Sequence, residues 1–383
     1  MTAPPTARTW RQVAAGTLLV AVTYGMARFG VGLSAPQVIQ DGVSDQAGIG
    51  YTSSLSYLTY VVACLACSWL VSRGRWRLCL GLGAGCLLLG YTVTALANGS
   101  AAFLAGVSVA GAAAGFASGA IAHRLARDVP ARLEARAQGI ANAGTGTGVV
   151  LATTAMFASG SWRTLFWLSA ALGAVATLWF VLGSGARRDG DQDGTQAPEQ
   201  PGRADQLVLP VLLTAGMGAG AAVFWAYGRE LVGEQLRLQD TSSLLFWGLV
   251  GFAGVAGSLS GDIAGRLGPA RAWALLCTLL GLAVISLPLA SQPWQAMVLG
   301  ALFGGCYTTL CGITIELARL AWPQAVGAGS SILFATIAVG QTAGSLASGL
   351  AASQTGLAPL FITGGVVALM AGAPALLLHR RSA

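Results

Sequence analysis

Lysine is absent from this chain, and only 2 histidines and 14 acidic residues stand among its 383 positions. Charged residues make up 9% of the sequence, against roughly 25% in soluble globular proteins. So little charge cannot clothe a particle of this size in water. The scarcity excludes a soluble enzyme and a disordered chain. It also excludes a nucleic-acid partner, despite the formal net charge of +7. No cluster of His, Asp and Glu and no nucleophile–base arrangement is present, so no catalytic residue, metal site or cofactor is expected. The 7 cysteines (Cys64, Cys67, Cys79, Cys86, Cys277, Cys306 and Cys311) all fall in apolar runs. Cys64-x-x-Cys67 has no second Cys/His pair beside it, so these thiols read as small buried side chains. Arg8 and Arg11 precede an apolar stretch too long for the core of a cleavable signal.

What the chain does hold is apolar. Hydrophobic residues reach 55% and mean hydropathy is +0.68. The 54 glycines lack the triplet period of collagen. Glycine-rich and charge-poor together indicate a polytopic helical membrane protein, in which small residues let helices approach closely. A spanning helix needs about 20 largely apolar residues. Six stretches qualify in the first part of the chain: 13–39, 49–71, 78–97, 101–122, 138–158 and 162–182. Six more follow at 207–227, 244–264, 270–290, 294–317, 325–352 and 358–378. The expected fold is therefore an all-α integral membrane protein of 12 transmembrane helices in two pseudo-symmetric six-helix bundles. Residues 1–183 form the N-terminal half, 184–206 a polar, flexible linker, and 207–383 the C-terminal half.

Arginine placement sets the orientation. Arg8, Arg11, Arg73, Arg75, Arg77, Arg124, Arg127, Arg132, Arg136, Arg187, Arg188, Arg203, Arg266, Arg271, Arg319, Arg380 and Arg381 share one side of this arrangement. Only Arg163 and Arg237 fall on the other, and Arg28 and Arg229 lie within or at the edge of helices. The positive-inside rule then puts both termini and the linker in the cytoplasm, with the chain multi-pass in the cytoplasmic (inner) membrane. An internal repeat supports the halving. Thr52-Ser53-Ser54-Leu55 recurs as Thr241-Ser242-Ser243-Leu244, and Gly74-x-x-Arg77 as Gly268-x-x-Arg271. Leu125-Ala126-Arg127 returns as Leu317-Ala318-Arg319.

These features resemble the major facilitator superfamily. Its loop signature, of the type Gly-x-x-x-Asp-Arg-x-Gly-Arg, is matched after the eighth stretch by Gly261, Asp262, Gly265, Arg266, Gly268 and Arg271, with Gly265 in the Asp position. The copy after the second stretch keeps Arg73, Gly74 and Arg77 but lacks the Asp. More narrowly, Tyr24-Gly25-Met26-Ala27-Arg28-Phe29-Gly30, Gly50-Tyr51 and Gly340-Gln341-x-x-Gly344 are similar to the YbfB/YjiJ family. The resemblance implies a secondary transporter working by alternating access, with a small-molecule substrate, the lipid bilayer around it, and H+ or a counter-solute as coupling partner. A monomer is expected. A proton-coupled multidrug or metabolite exporter is the alternative, and a non-transporting membrane sensor on the same fold a further one. The exporter reading is weakened because Val107 or Ser108 stands where such exporters carry Arg, and the fifth stretch has no Pro.

Arg28 is the sharpest candidate for substrate binding. It lies about 24 Å along the first helix, counted from Gln12 at ~1.5 Å per residue, inside a hydrocarbon core of ~30 Å. An Arg there needs a cavity, a counter-charge or carbonyls, and no Asp or Glu is placed near it along the chain. One reading is a planar fork for an anionic or zwitterionic solute; the other is a packing or snorkelling contact. Tyr24, Asn142, Trp225 and Gln341 are the polar candidates beside it. Glu316 and Arg319, three apart, are expected to form a structural ion pair. Arg229 and Glu230 read as interfacial anchors. The glycine series 111/115/119, 257/261/265 and 340/344 read as flat faces for helices that slide during access.

Overall fold

A computed structural model describes residues 7–129, 131–183 and 202–379. Most of the linker (184–201), Arg380 and Arg381 lie outside the described residues, as do the side chains of Arg8, Arg127, Arg132 and Arg136. The first helix, α1, runs as Ala7–Val20, a wide turn Ala21–Arg28, and Gly30–Gln40. Then follow α2 (Gln46–Ser72), α3 (Trp76–Ala95), α4 (Ser100–Asp128), α5 (Ala131–Ser159) and α6 (Trp162–Gly183). The second six are α7 (Ala204–Gln235), α8 (Asp240–Leu267), α9 (Pro269–Ser286), α10 (Pro293–Ala321), α11 (Val326–Thr355) and α12 (Leu357–Met370). Eleven of these rods are long and apolar enough to cross a membrane. The remaining one, α5, is a 29-residue helix whose Gly- and Thr-rich middle packs on α1 and α8. The fold is all-α, in two six-helix bundles.

Local chemistry sets the helix ends. Asp45 caps α2 by accepting the Gly48 N–H at 2.7 Å, one of the donors a helix start leaves unmet. Gln292 and Gln295 form a reciprocal capping box ahead of α10, with Pro293 in its first turn. Gly268 takes φ +80 between α8 and α9, and Gly74 takes φ +72 at the matching place between α2 and α3. Both are left-handed conformations that favour glycine. Residues 204–206, assigned to the linker on sequence, form the first turn of α7 instead. Arg203 and Asp205 pair there at 3.2 Å, and Asp205 suits the positive end of the helix dipole.

Exposed Leu65, Leu89, Phe252 and Val298 cover the outside, as expected of surfaces facing lipid tails. The interior holds fully buried Trp247, Trp273, Phe224 and Phe303. Within each bundle, small residues set the spacing. Gly111, Gly115 and Gly119 of α4 press on Ser56, Tyr60 and Cys67 of α2. Gly340 and Gly344 of α11 press on Ala215 and Ala219 of α7. These two series therefore pack helices of one bundle closely against each other. In the third series only Gly257 is packed, against Thr308, while nothing stands within 4 Å of a Cβ built on Gly261 or Gly265.

Glycines do line the seam between bundles, at other places. Gly32 lies flush on the Trp225 carbonyl, Gly50 on Gly349, and Gly146 of α5 on Gly251 and Gly254 of α8. A Cβ at Gly146 would stand 2.6 Å from the Gly251 oxygen, closer than any real side chain tolerates. The bundles thus meet backbone to backbone. Tyr60 and Ala338 also meet across the seam.

Candidate functional site

The site begins with the wide turn of α1. Between Ala21 and Arg28 the hydrogen bonds step five residues, ending with Phe29 N–H donating to the Tyr24 carbonyl at 3.0 Å. Such single wide turns are frequent at functional sites. Gly25 makes this turn's close approach to α5 possible, lying against the backbone of Thr145 and Gly148. Arg28 leaves the turn toward the seam and is 7% exposed.

Its guanidinium enters a cage of rings. The Cζ atom stands 4.2 Å from the Tyr60 ring centroid, 4.5 Å from Tyr57 and 5.5 Å from Tyr24. Tyr24 donates its hydroxyl proton to Tyr60 at 2.9 Å. Across the seam, Arg28 Nη2 donates to Gln341 Oε1 at 2.9 Å, and Gln341 Nε2 donates to the Tyr307 hydroxyl at 3.0 Å. Arg28 Nε is buried with no hydrogen-bond partner. The cation is held by π faces and one amide oxygen, and no carboxylate touches it among the described residues. Cation–π contacts gain strength when desolvated, which explains how the charge survives there. Because its fork is only partly used, it retains capacity for an anion.

Next to it, Phe29 stacks on Trp225 with ring centroids 3.8 Å apart and planes 24° apart. Trp225 in turn meets Tyr307 edge-on at 5.2 Å. The Trp225 indole N–H is buried and unpartnered. Of the candidates taken from sequence, Arg28, Tyr24, Gln341 and Trp225 therefore stand together. Asn142 stands apart: its neighbours on α5, Ile140 and Gly144, pack on Thr17, three turns of α1 from Arg28. Tyr57, Tyr60 and Tyr307 belong to the cluster but carry no signal in the sequence, since a tyrosine in an apolar run is ordinary.

The second buried arginine has a different setting. Arg229 is fully buried. It donates to Ser243 Oγ at 3.1 Å and also bonds the Leu33 carbonyl and Asp240. Asp240 further accepts from Gln37 at 3.1 Å. Beside it, Gln46 donates to Glu230 at 2.7 Å, and the Tyr227 hydroxyl donates to the Gln46 carbonyl at 2.8 Å. Leu33, Gln37 and Gln46 belong to the first bundle, the others to the second. Arg229 and Glu230, expected as anchors at the membrane–water interface, are instead buried and form a bolt across the seam at the face remote from the termini.

The remaining sequence candidates lie at the opposite end. Arg73 covers the Trp69 ring at 4.0 Å and Arg77 the Trp76 ring at 5.3 Å. Asp262 and Arg266 are exposed on α8, and Arg271 starts α9. Glu316 and Arg319 pair at 3.1 Å on α10. All 7 cysteines are free thiols.

A twelve-rod, two-bundle membrane fold with a polar cluster at its seam defines a class of membrane carriers by architecture. The sequence matches the Major Facilitator Superfamily over residues 17–321, and the chain belongs to that family. Among curated proteins, none matches it. Among solved structures, it is similar to a bacterial homologue of the human lysosomal transporter Spinster. The inward-facing, unoccupied form of that protein superposes with a TM-score of 0.71 at 14% identity, covering 98% of both chains. The inward-facing, occupied form gives 0.73 at 14% identity over 96% of both chains. At this identity the likeness is one of fold.

Proposed function

We propose that this chain is a secondary transporter that moves a small organic anion or zwitterion across the cytoplasmic membrane, with Arg28 as the anchor. The observation that carries this reading is a buried guanidinium at the seam, with an unused Nε–H and no acidic partner. Intramembrane charges mark substrate paths in such proteins, and a positive one without a counter-charge selects for negative ligands. In this reading the halves 1–183 and 207–383, joined by the linker 184–206, rock about the seam. Tyr24, Gln341 and Trp225 line the ligand's place. In this reading the bonded seam holds the face remote from the termini together, and access comes from the cytoplasmic end, where both termini are taken to lie. A proton or a counter-solute drives the cycle, and the protein works as a monomer. The narrower YbfB/YjiJ kinship rests on the α1 motif around Arg28.

Reconstitution into liposomes with a panel of organic anions, zwitterions and cations tests this. Uptake or exchange of an anion, lost in Arg28→Ala protein, is the expected outcome. Persistent absence of any transport would point to a sensor on the same fold. Sided labelling of single cysteines in the 41–45 loop tests the orientation, and a cytoplasmic signal there would overturn it.

A further inference from the structure

The seam at Arg28 contains a feature that the anchor alone does not explain. Phe29 of the first bundle and Trp225 of the second lie face to face at 3.8 Å. Alternating access must separate them, because they belong to opposite halves. Parting the pair opens a slot between two nearly parallel ring faces. Each wall of that slot carries a buried donor without an acceptor: Arg28 Nε next to Phe29, and the Trp225 indole N–H. A buried indole N–H ordinarily finds a partner, and an unmet buried donor costs about 1–3 kcal/mol. The Arg28 donor is the one that a ligand in the slot can meet, because the indole N–H lies in the plane of its ring and points away from a group stacked on its face.

We propose that the ligand is a small aromatic acid, a deepening that rests on the transporter reading above. Its flat ring takes the place between Phe29 and Trp225 and restores the stacking lost when the halves part. Its carboxylate replaces the Gln341 amide oxygen on the Arg28 fork, an exchange of one planar oxygen acceptor for a charged one. Gln341, released from Arg28, keeps its bond to Tyr307. A saturated acid of the same size would satisfy Arg28 and still forfeit both ring faces.

Titration calorimetry on the purified full chain, with benzoate, 4-hydroxybenzoate, cyclohexanecarboxylate, inorganic phosphate, benzyl alcohol and benzylamine, decides the matter. The expected result is binding of benzoate and 4-hydroxybenzoate about tenfold or more tighter than cyclohexanecarboxylate. Trp225→Phe keeps a ring face and should keep that preference, whereas Trp225→Leu removes the face and should lose it. Equal or tighter binding of cyclohexanecarboxylate by the native chain overturns the aromatic assignment and leaves the anion reading standing. That comparison needs no variant. A preference that survives undiminished in Trp225→Leu overturns the role of the Trp225 face. Binding of benzylamine with no carboxylate or phosphate bound would overturn the anion reading, and this inference with it.

Discussion

Two arginines are buried at the same seam, and they are treated in opposite ways. Arg229 has three of its nitrogens occupied, by Ser243, the Leu33 carbonyl and Asp240. Arg28 has one amide oxygen, three ring faces and an idle Nε. Both charges had to leave water, and a buried charge is tolerated only when something answers it. Arg229 is answered entirely by the protein, so it fastens one bundle to the other. The answer to Arg28 is incomplete, which leaves part of its field available. In the proposed reading it is the unmet donor, not burial alone, that sets Arg28 apart from Arg229.

Substitutions can break this comparison from either side. The largest effect is expected at Arg28→Ala. A hydrogen bond to a charged group is worth ~1.5–3 kcal/mol, so losing the anchor should weaken anion binding by about 10- to 100-fold. Transport at matched membrane abundance should be abolished, while the melting temperature of the purified protein changes little. Arg229→Ala should do the reverse. It removes the bolt and its three hydrogen bonds, so stability should fall by about 1–3 kcal/mol, read as a lower melting temperature. Hydrogen exchange should rise across 33–40 and 227–235, and anion affinity should stay within a few-fold of native.

Arg28→Lys sharpens the comparison further. It keeps the charge and loses the planar fork, so affinity should drop by about tenfold, or ~1.4 kcal/mol, with a residual preference for anions. The smallest effect belongs to Glu316→Gln. The Glu316–Arg319 pair is local, and Arg319 is half exposed. On-helix pairs of this kind contribute about 0.2–0.5 kcal/mol. Transport and melting temperature should both stay close to native, and a marked loss of transport would give Glu316 a part in the cycle.

How much of this was legible before the structure depends on how local the signal is. Helix number follows from runs of about 20 apolar residues, a property each segment carries by itself. The halving follows from short repeats that recur at matching places. Arg28 stands out because a charge in an apolar run is rare, and Gln341 and Trp225 because a polar handle there is uncommon. Two of the cage rings were not legible. Tyr57 and Tyr60 reach Arg28 from α2, and Tyr307 reaches Gln341 from α10; only the packing of separate helices brings them together. The wide turn of α1 was also hidden, since a single extra residue per turn leaves no trace in an apolar pattern. The seam glycines were hidden for a related reason: Gly32, Gly50 and Gly146 stand outside the series 111/115/119 and 340/344, and their partners lie in the other bundle. The Arg229 bolt shows the same limit, because Leu33 and Gln37 are nearly two hundred positions away in the chain.

The most direct test of the central claim is anion binding measured side by side on the native protein, Arg28→Ala and Arg229→Ala. Titration calorimetry on purified protein, with the transported anion or with benzoate as probe, serves for all three. The account predicts that binding weakens by about 10- to 100-fold in Arg28→Ala and stays within a few-fold of native in Arg229→Ala despite its lower melting temperature. Undiminished binding in Arg28→Ala, or its loss in Arg229→Ala alone, would contradict it.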